Sequence, residues 1–373
     1  MHPLNCLFVV QGEGRGHMTQ ALALKAILED AGHGVAAVLL GRSSNRRVPA
    51  FFTEKIGAPI IPFDSPTFAL DEKQQSVDMG ATILQNIRKG GAFRASLDAI
   101  HDAIETHRPD VIVNFFEPLF GAYALLYRPA PPIVCIGHQY MYHHPVYPFP
   151  AGMWAQRLGA RNFTRLSSFG ATRRLALSYY PAPARPRLAV VPPLLRPEVF
   201  AQPLDITDED AFYLIYLLNR GYADEVIAWH REHPHRRLHC FWDNPDAPAE
   251  WHYASNLTFH ALSDVKFLSM MARCAGLICT AGFESTCEAM YFGKPVLAVP
   301  VRGHVEQYWN AQDLAGFGGG VYAASFEIDG LEEATRALLP PTHIFRAWVD
   351  QAPERFLREI EQVAAARRAP AFP

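Results

Sequence analysis

The sequence predicts an α/β protein with two Rossmann-like domains, whose parallel sheets face each other across a cleft. Three observations lead to this fold class. Short apolar segments alternate with helical patterns along most of the 373 residues, a glycine-rich turn follows the first of those segments, and a proline-dense segment separates two such series. A chain of this length is sufficient for two domains of about 150 residues each.

The first series begins with residues 4–11, a continuous apolar segment that is typical of a strand buried on both faces. Leu24, Ile27, Leu28 and Ala31 then recur at helical spacing, and glycines end that helix directly afterwards. Further strands are predicted at residues 35–40, 59–63, 111–114 and 133–136, with a long helical stretch near 76–107.

Seven prolines and no glycine make residues 181–204 a candidate linker. The second series follows it, with strands predicted at residues 212–218, 238–242, 257–260, 276–280 and 296–299, and a final amphipathic helix at 344–366. Strands that are separated by helices form parallel sheets with right-handed crossovers. We therefore expect an N-terminal domain over residues 1–195, a C-terminal domain over 205–345, and a C-terminal helix within 346–373 that packs back towards the N-terminal domain.

The composition excludes several classes of protein. With 49% hydrophobic and 19% charged residues, the chain is globular rather than disordered, and no stretch of about 18 uncharged apolar residues predicts a membrane span. The first apolar segment lacks a preceding basic region, so we expect a core strand there and no signal peptide. The six cysteines form no CxxC pair and no metal-spaced cluster, which indicates reduced thiols in a cytoplasmic protein.

Residues 118–197 contain nine arginines, no lysine and no acidic residue, so this segment carries +9 while the remainder of the chain carries −12. The bias indicates a neighbourhood for anions, such as a phosphorylated ligand, an acidic acceptor or the anionic inner face of a membrane contacted peripherally. The alternative is a solvated face whose counter-charges come from elsewhere in the fold. Because the overall charge is negative and no nucleic-acid-binding module is recognisable, no nucleic-acid partner is expected.

The sequence QGEGRGH forms the first glycine-rich turn, between the first strand and the first helix. Gly12, Gly14, Arg15 and Gly16 let backbone amides approach a ligand, and the start of the helix favours negative charge. The dinucleotide fingerprint GxGxxG is not matched, because His17 stands where its third glycine is required. No acidic residue ends the second strand either. Both departures argue against a dinucleotide-dependent oxidoreductase.

His17 is the candidate general base. In the first turn of a helix the dipole lowers the pKa of a histidine, which then stays neutral near pH 7 and can accept a proton. Taken alone, the motif favours a histidine that only caps the helix or bonds to the backbone.

The second turn, CTAGFESTCE, again lies between a predicted strand and a helix. Small residues and hydroxyls at a helix start suit a diphosphate, with Ser285 and Thr286 as donors. Glu288 follows Ser285 at the spacing of a capping box, so the two residues could instead serve only each other's backbone.

The stretch 280–307 resembles the donor-binding signature of GT-B glycosyltransferases, above all the inverting UDP-sugar enzymes of families 1 and 28. These include the plant small-molecule glucosyltransferases and the bacterial transferase that completes lipid II. The plant pattern is HCGWNSxxE, then GxP, then an acidic residue followed by Gln. Here it corresponds to TAGFESTCE from Thr280, GKP from Gly293, and the pair Glu306-Gln307. The QGEGRGH turn resembles the glycine loop and histidine of the same enzymes, including bacterial relatives.

The resemblance implies a role for each matching residue. His17 takes the proton from the acceptor, and Glu288 accepts hydrogen bonds from both ribose hydroxyls. The remaining donor-binding residues contact the diphosphate or the sugar hydroxyls; they are Gly282, Phe283, Ser285, Thr286, Glu306 and Gln307. Two positions depart from the pattern: Thr280 replaces the histidine, and Glu284 replaces the asparagine, where a carboxylate would repel phosphate.

Three residues outside these motifs are further candidates. Glu117 follows a strand and is expected to orient His17 or to be the base itself, the alternative being a helix cap or an arginine partner. His138 and Gln139 follow the next strand and are expected to line the acceptor side. His143 and His144 lie close by, but no neighbouring thiol or carboxylate in the sequence supports a zinc site.

The resemblance implies an inverting glycosyltransferase that moves a hexose from a nucleotide sugar to an acceptor hydroxyl. A UDP-sugar is the expected co-substrate, and no other cofactor and no metal are expected, because no DxD motif stands in a suitable context; the acidic residues 208–210 are expected to form a solvated turn. The acceptor stays open between a lipid-linked compound, a glycan and a small molecule. The alternatives are a sugar-nucleotide 2-epimerase and a non-catalytic sugar-nucleotide-binding protein.

Overall fold

The computed structural model describes residues 2–42, 48–66, 69–70, 77–78, 90–206, 211–217, 220–244, 246–326 and 342–368. The chain divides into two compact units. Unit 1 comprises Met1–Phe68, Met79–Arg196 and Trp348–Pro373, and unit 2 comprises Ala69–Asp78 and Pro197–Ala347. The division falls inside a helix near the C-terminal end of the sequence, between Ala347 and Trp348.

The described strands are, in chain order, β1 Asn5–Gln11, β2 Gly34–Arg42, β3 Ile60–Asp64, β4 Ala69–Leu70, β5 Val77–Asp78, β6 Val111–Phe115, β7 Ile133–Gly137, β8 Arg173–Leu177, β9 Leu188–Val191, β10 Tyr213–Leu217, β11 Leu238–Trp242, β12 Glu250–Ala254, β13 Leu257–Ala261, β14 Gly276–Cys279, β15 Val296–Ala298 and β16 Gly320–Tyr322. The described α-helices are α1 Arg15–Asp30, α2 Ala50–Ile56, α3 Gly90–His107, α4 Pro118–Tyr127, α5 Trp154–Ser167, α6 Pro197–Phe200, α7 Ala223–Glu232, α8 Asp264–Arg273, α9 Phe283–Tyr291, α10 Val305–Phe317, α11 Thr342–Val349 and α12 Ala352–Arg368. Short 3₁₀ helices cover His138–His143 and Arg220–Tyr222.

Unit 1 contains a seven-stranded parallel sheet with the order β3-β2-β1-β6-β7-β8-β9. Its centre is apolar because residues 6–10 of β1 are completely buried. The chain leaves β1 in one direction towards β2 and later returns on the other side of it with β6. In open α/β sheets, ligands bind beside the carboxyl ends of the strands at such a reversal.

Unit 2 repeats this plan with the order β12-β13-β11-β10-β14-β15-β16. All of its pairings are parallel except that of β12, which runs antiparallel to β13. The reversal of strand order lies between β10 and β14. The predicted α/β fold of two Rossmann-like sheets is thus confirmed.

The structure corrects the sequence-based prediction at the proline-dense segment and at the final helix, and it adds the strands β8, β12 and β16, which the sequence pattern does not predict. Residues 181–204 are not simply a linker, since they contain β9, the edge strand of the unit 1 sheet. The final helix predicted at 344–366 is two helices, α11 and α12, because residues 350–351 form a turn. The acidic residues 208–210 and the beginning of the helical stretch predicted near 76–107 lie outside the described residues.

Helix α12 belongs to unit 1 although it follows unit 2 in the sequence. Glu359 accepts a 2.6 Å hydrogen bond from Arg173 at the start of β8, and Glu361 lies 3.1 Å from His33 Nε2. Phe356 and Ile360 on the same helix are completely buried. Among the described helices, none combines the length and the hydropathy that a membrane span requires.

Replacing Phe356 with alanine is expected to lower the free energy of unfolding by about 3–5 kcal/mol, because a buried aromatic ring is lost and a cavity remains. Urea denaturation followed by far-UV circular dichroism measures this change. Gln362→Ala, at an exposed position of the same helix, should change the free energy by no more than about 0.5 kcal/mol. Equal effects of the two substitutions would contradict the packing of α12 on unit 1.

Candidate functional site

The glycine turn of unit 1 is held by a close backbone contact. The amide of Gly12 donates a 2.6 Å hydrogen bond to the carbonyl oxygen of Gly41, and a Cβ on Gly12 would lie 2.8 Å from that oxygen. Only glycine fits such an approach. Helix α1 then begins with Gly14 as its N-cap, with no side chain capping it, and the Arg15 guanidinium lies over the ring of Phe51. The start of α1 therefore presents backbone amides rather than a side-chain cap.

His17 is half-buried in the first turn of α1. Its ring stacks on Phe116, with centroids 5.8 Å apart, and its Nδ1 lies 3.3 Å from Oε1 of Gln20. An amide oxygen only accepts hydrogen bonds, so this contact favours the tautomer that carries the proton on Nδ1, in which Nε2 is the basic nitrogen. Sequence reasoning missed Gln20, although its i+3 spacing from His17 on one helix would have indicated it.

Glu117 lies in unit 1 too, but it does not orient His17. Its carboxylate is completely buried, and its Oε1 accepts hydrogen bonds from the Ser65 hydroxyl at 2.6 Å and from the Leu119 amide at 2.9 Å. It is the N-cap of α4. Among the described residues, its hydrogen bonds include none to His17, whose orienting contact comes from Gln20 instead. The helix-cap alternative is therefore the one that the geometry supports.

The surroundings of Glu117 leave no room for a larger neighbour. A Cβ on Gly41 would lie 2.1 Å from Glu117 Oε2, and that oxygen is buried without a hydrogen-bond partner. Asn114 accepts from the Glu117 amide at 2.8 Å, and Phe116 between them has a left-handed φ of 56°. Burial raises the pKa of Glu117 to about 8, against the lowering effect of the Ser65 and Leu119 hydrogen bonds. The carboxyl group is consequently protonated at neutral pH.

The three histidines after β7 point to separate partners. His138 is buried and donates from Nδ1 to the carbonyl of Leu177 at 2.8 Å, and burial lowers its pKa to about 4. His143 Nε2 lies 2.7 Å from the hydroxyl of Thr164, and His144 Nε2 lies 3.0 Å from the carbonyl of Pro183. Gln139 is buried, and its Oε1 lies so close to Gly137 that a Cβ there would be only 2.9 Å away. His138 and Gln139 thus follow β7 as core side chains.

In unit 2, the turn between β14 and α9 is strained and lacks a side-chain cap. Ala281 has a left-handed φ of 58°, which is uncommon for a residue with a Cβ, and the buried Asn310 donates a 3.3 Å hydrogen bond to its carbonyl. Gly282 is the exposed N-cap of α9, with no side-chain hydrogen bond to the helix start. The amides of the first turn have no partner within the helix, and no side chain caps them. They therefore point along the helix axis, beyond the N-terminus of α9.

The hydroxyls of this turn are used within the helix. Ser285 donates to the carbonyl of Gly282 at 3.2 Å, and Thr286, which is 1% exposed, donates to the carbonyl of Phe283 at 2.8 Å. Since Gly282 is the N-cap, Ser285 does not form the capping box with Glu288 that its spacing allowed. A ligand at this helix start is met first by backbone amides, and by Ser285 if its half-exposed hydroxyl rotates.

The other expected donor-binding residues lie at the same edge of unit 2. Because β14 and β15 are parallel neighbours, α9 and α10 begin beside each other. Glu306 is half-buried in the first turn of α10, and the Gln307 side-chain oxygen accepts a 2.8 Å hydrogen bond from the Val301 amide. Glu288 is buried at 3% exposure on α9. The structure therefore gathers the residues from Gly282 to Gln307 at the carboxyl edge of one sheet.

Comparisons with known proteins concern the family and the fold. The sequence model of the family described as "Glycosyl transferase family 1" matches residues 4–337. The calicheamicin glycosyltransferase CalG4 is similar in structure, with a TM-score of 0.63 at 16% identity over 99% of this chain and 100% of that chain. The glycotransferase of kitacinnamycin gives 0.59 at 18% identity over 99% and 98%, and MurG of Acinetobacter baumannii gives 0.55 at 15% over 96% and 100%. At identities of 15–18%, these structural similarities show that the chain shares the fold of those proteins. Curated protein sequences gave no significant match.

Glu117→Gln is expected to flatten the pH dependence of stability. Between pH 4.5, the ordinary pKa of a glutamate, and about pH 8, the folded protein keeps this proton and the unfolded chain releases it. The free energy of unfolding therefore falls as the pH rises through this window, by at most about 1.4 kcal/mol per pH unit from this group. Glutamine has no proton to lose, so the variant should lack this contribution in urea denaturation from pH 4 to 9.

The matched control is Glu354→Gln, at a side chain that is 80% exposed on α12. This variant should keep the slope of the unchanged protein. An identical slope in Glu117→Gln and the unchanged protein would show that Glu117 is ionised in the folded state.

Proposed function

Because the chain belongs to glycosyl transferase family 1 and has the GT-B fold, we propose that it moves a hexosyl group from a UDP-sugar to an acceptor hydroxyl, with inversion and without a metal ion. The observation that carries the proposal is the start of α9, where Gly282 is exposed and no side chain caps the helix. A helix N-terminus with outward amides suits a diphosphate. Unit 2 is then the donor-binding unit.

The donor is proposed to bind along the carboxyl edge of the unit 2 sheet. The amides that follow Gly282 bind the diphosphate, and the buried carboxylate of Glu288 accepts hydrogen bonds from both ribose hydroxyls. Glu306 and Gln307, at the start of the neighbouring helix α10, hold hydroxyls of the sugar. This assignment is supported by the parallel pairing of β14 and β15, which brings the two helix starts together.

Bond cleavage at the anomeric carbon passes through an oxocarbenium-like state while negative charge builds on the departing diphosphate. The positive end of the α9 dipole and its backbone amides are already oriented to stabilise that charge, so the proposal needs no metal ion. Loss of one such donor typically costs about 10²-fold in rate or more.

The proton of the acceptor hydroxyl is proposed to pass to Nε2 of His17. The Gln20 contact at 3.3 Å favours the tautomer in which Nδ1 carries the proton, and the Phe116 ring holds the imidazole plane. A neutral histidine in this tautomer is a competent general base. Attack by the deprotonating hydroxyl on the face opposite the diphosphate inverts the anomeric configuration.

Acceptor-dependent release of UDP tests the function. The full chain is incubated with UDP-hexoses and a panel of small-molecule, glycan and lipid-linked acceptors, in the presence of EDTA. Formation of UDP and a β-linked product from an α-linked donor is the expected result. An isomerised UDP-sugar without acceptor would indicate an epimerase, and UDP binding without turnover over the panel would indicate a non-catalytic protein. Activity that EDTA abolishes would contradict the metal-free mechanism.

Glu288→Gln is expected to weaken UDP binding by about 10-fold or more, because a hydrogen bond to a charged group typically contributes about 1.5–3 kcal/mol. Isothermal titration calorimetry with UDP measures the change. The control is Glu284→Gln in the first turn of the same helix, which removes an equal charge and should not weaken binding. Equal dissociation constants for Glu288→Gln and the unchanged protein would overturn the ribose assignment.

His17→Ala is expected to lower kcat by about 10²–10⁴-fold, the usual contribution of a general base, and to leave the Kd for UDP unchanged. Gln20→Ala should lower kcat less, since the base remains and only its orientation is lost. Steady-state kinetics and calorimetry give the two quantities separately. Turnover that persists in His17→Ala would show that another group accepts the proton.

A further inference from the structure

Unit 1 contains a basic cavity that neither His17 nor the donor-binding residues use. Its volume is about 410 Å³, and it is lined by His143, Arg165, Arg174, Arg185, Pro186 and Leu188. All six residues lie in the segment 118–197, which has nine arginines and no acidic residue. Three of the nine arginines of this segment therefore lie together around one cavity.

The cavity lies towards the amino ends of the outer strands. Arg174 is the second residue of β8 and Leu188 is the first residue of β9. The QGEGRGH turn, by contrast, follows the carboxyl end of β1 in the same parallel sheet. Arg165 is in the last turn of α5, and His143 reaches this region through its hydrogen bond to Thr164. The cavity is thus a location separate from the glycine turn.

The arginines of the cavity have no acidic partner in the described part of the chain. Arg174 donates from Nε to the Ser168 hydroxyl at 2.7 Å, and Arg165 donates to the side-chain oxygen of Asn162 at 3.3 Å, both of them neutral acceptors. The adjacent Arg173 differs, because it points to the opposite face of β8 and pairs with Glu359 at 2.6 Å. On one face of β8 the charge of Arg173 is thus balanced by Glu359, whereas on the other face Arg174 contacts a neutral hydroxyl.

The positive field in the cavity affects its histidine. Burial, together with the positive charges of Arg174, Arg161 and Arg165, lowers the pKa of His143 to about 4. The imidazole is neutral at physiological pH and adds a hydrogen-bonding group rather than another positive charge. Clustered cations in a concave surface attract anions, and here Arg165 and Arg185 are exposed at its mouth while Arg174 is half-buried.

We propose that this cavity binds a phosphate group, held by the guanidinium groups of Arg165, Arg174 and Arg185. Guanidinium donors match phosphate oxygens in a bidentate geometry, and phosphate supplies the negative charge that the described residues do not. A volume of about 410 Å³ falls within the usual range for small-molecule sites, so it accommodates a phosphorylated metabolite or the headgroup of an anionic phospholipid. The proposal does not depend on the sugar donor.

Calorimetry with inorganic phosphate and pyrophosphate on the full chain, at constant ionic strength, tests the site. Arg185→Gln and Arg174→Gln should each raise the Kd about tenfold or more, because a charge-assisted hydrogen bond is lost. Arg157→Gln is the matched control, since Arg157 is exposed on the same helix as Arg165 and stacks on Phe149. It should leave the Kd unchanged. Unaltered UDP binding and melting temperature of each variant show that it is folded.

Vesicle flotation separates the two sources of phosphate. Vesicles of phosphatidylcholine with 20% phosphatidic acid are compared with phosphatidylcholine alone, for the unchanged protein and the same variants. Binding to the anionic vesicles that Arg185→Gln abolishes and Arg157→Gln does not would identify a lipid headgroup, whereas binding of soluble phosphates alone would identify a metabolite. Absence of any binding, or equal binding by Arg157→Gln and Arg185→Gln, would overturn the proposal.

Discussion

Parallel strands all end at one edge of their sheet, and this constraint assembles the candidate site in each unit. In unit 1, β1 and β6 are neighbours, so the glycine turn after one and Glu117 after the other are brought together. In unit 2, β14 and β15 do the same for the starts of α9 and α10. The sheet order therefore brings together segments that are far apart in sequence, and in unit 1 the stacking of His17 on Phe116 joins them further.

The buried side chain of Glu117 connects three segments at the carboxyl edge of the unit 1 sheet. A single buried carboxyl joins the end of β3, through Ser65, to the start of α4, and it lies against Gly41 at the end of β2. This group caps α4, and the residue that precedes it, Phe116, carries the ring on which His17 stacks. Its protonated form suits the apolar surroundings, since a buried ionised carboxylate without a cationic partner is costly.

Strands and turns with a clear local pattern could be predicted from the sequence, whereas contacts between residues that are distant in sequence could not. The apolar segment of β1 and the two turns at Gly12 and Gly282 carry strong local signals, so the fold of two Rossmann-like sheets could be predicted from them. Strand β8 begins with two arginines, and β9 lies among prolines, so neither has a continuous apolar signature. Ser65 is distant from Glu117 in sequence and could not be paired with it. Likewise, the start of α9 has Gly282 as its N-cap, so the spacing of Ser285 and Glu288 proved not to form a capping box.

The position of α12 has a consequence for biosynthesis. The ribosome makes this helix after every residue of unit 2, yet its Phe356 and Ile360 complete the core of unit 1. At about 5–20 residues per second, the nascent N-terminal sheet waits roughly 8–30 s with that apolar surface uncovered. Unit 1 therefore cannot complete its core until residues 352–368 have left the ribosome.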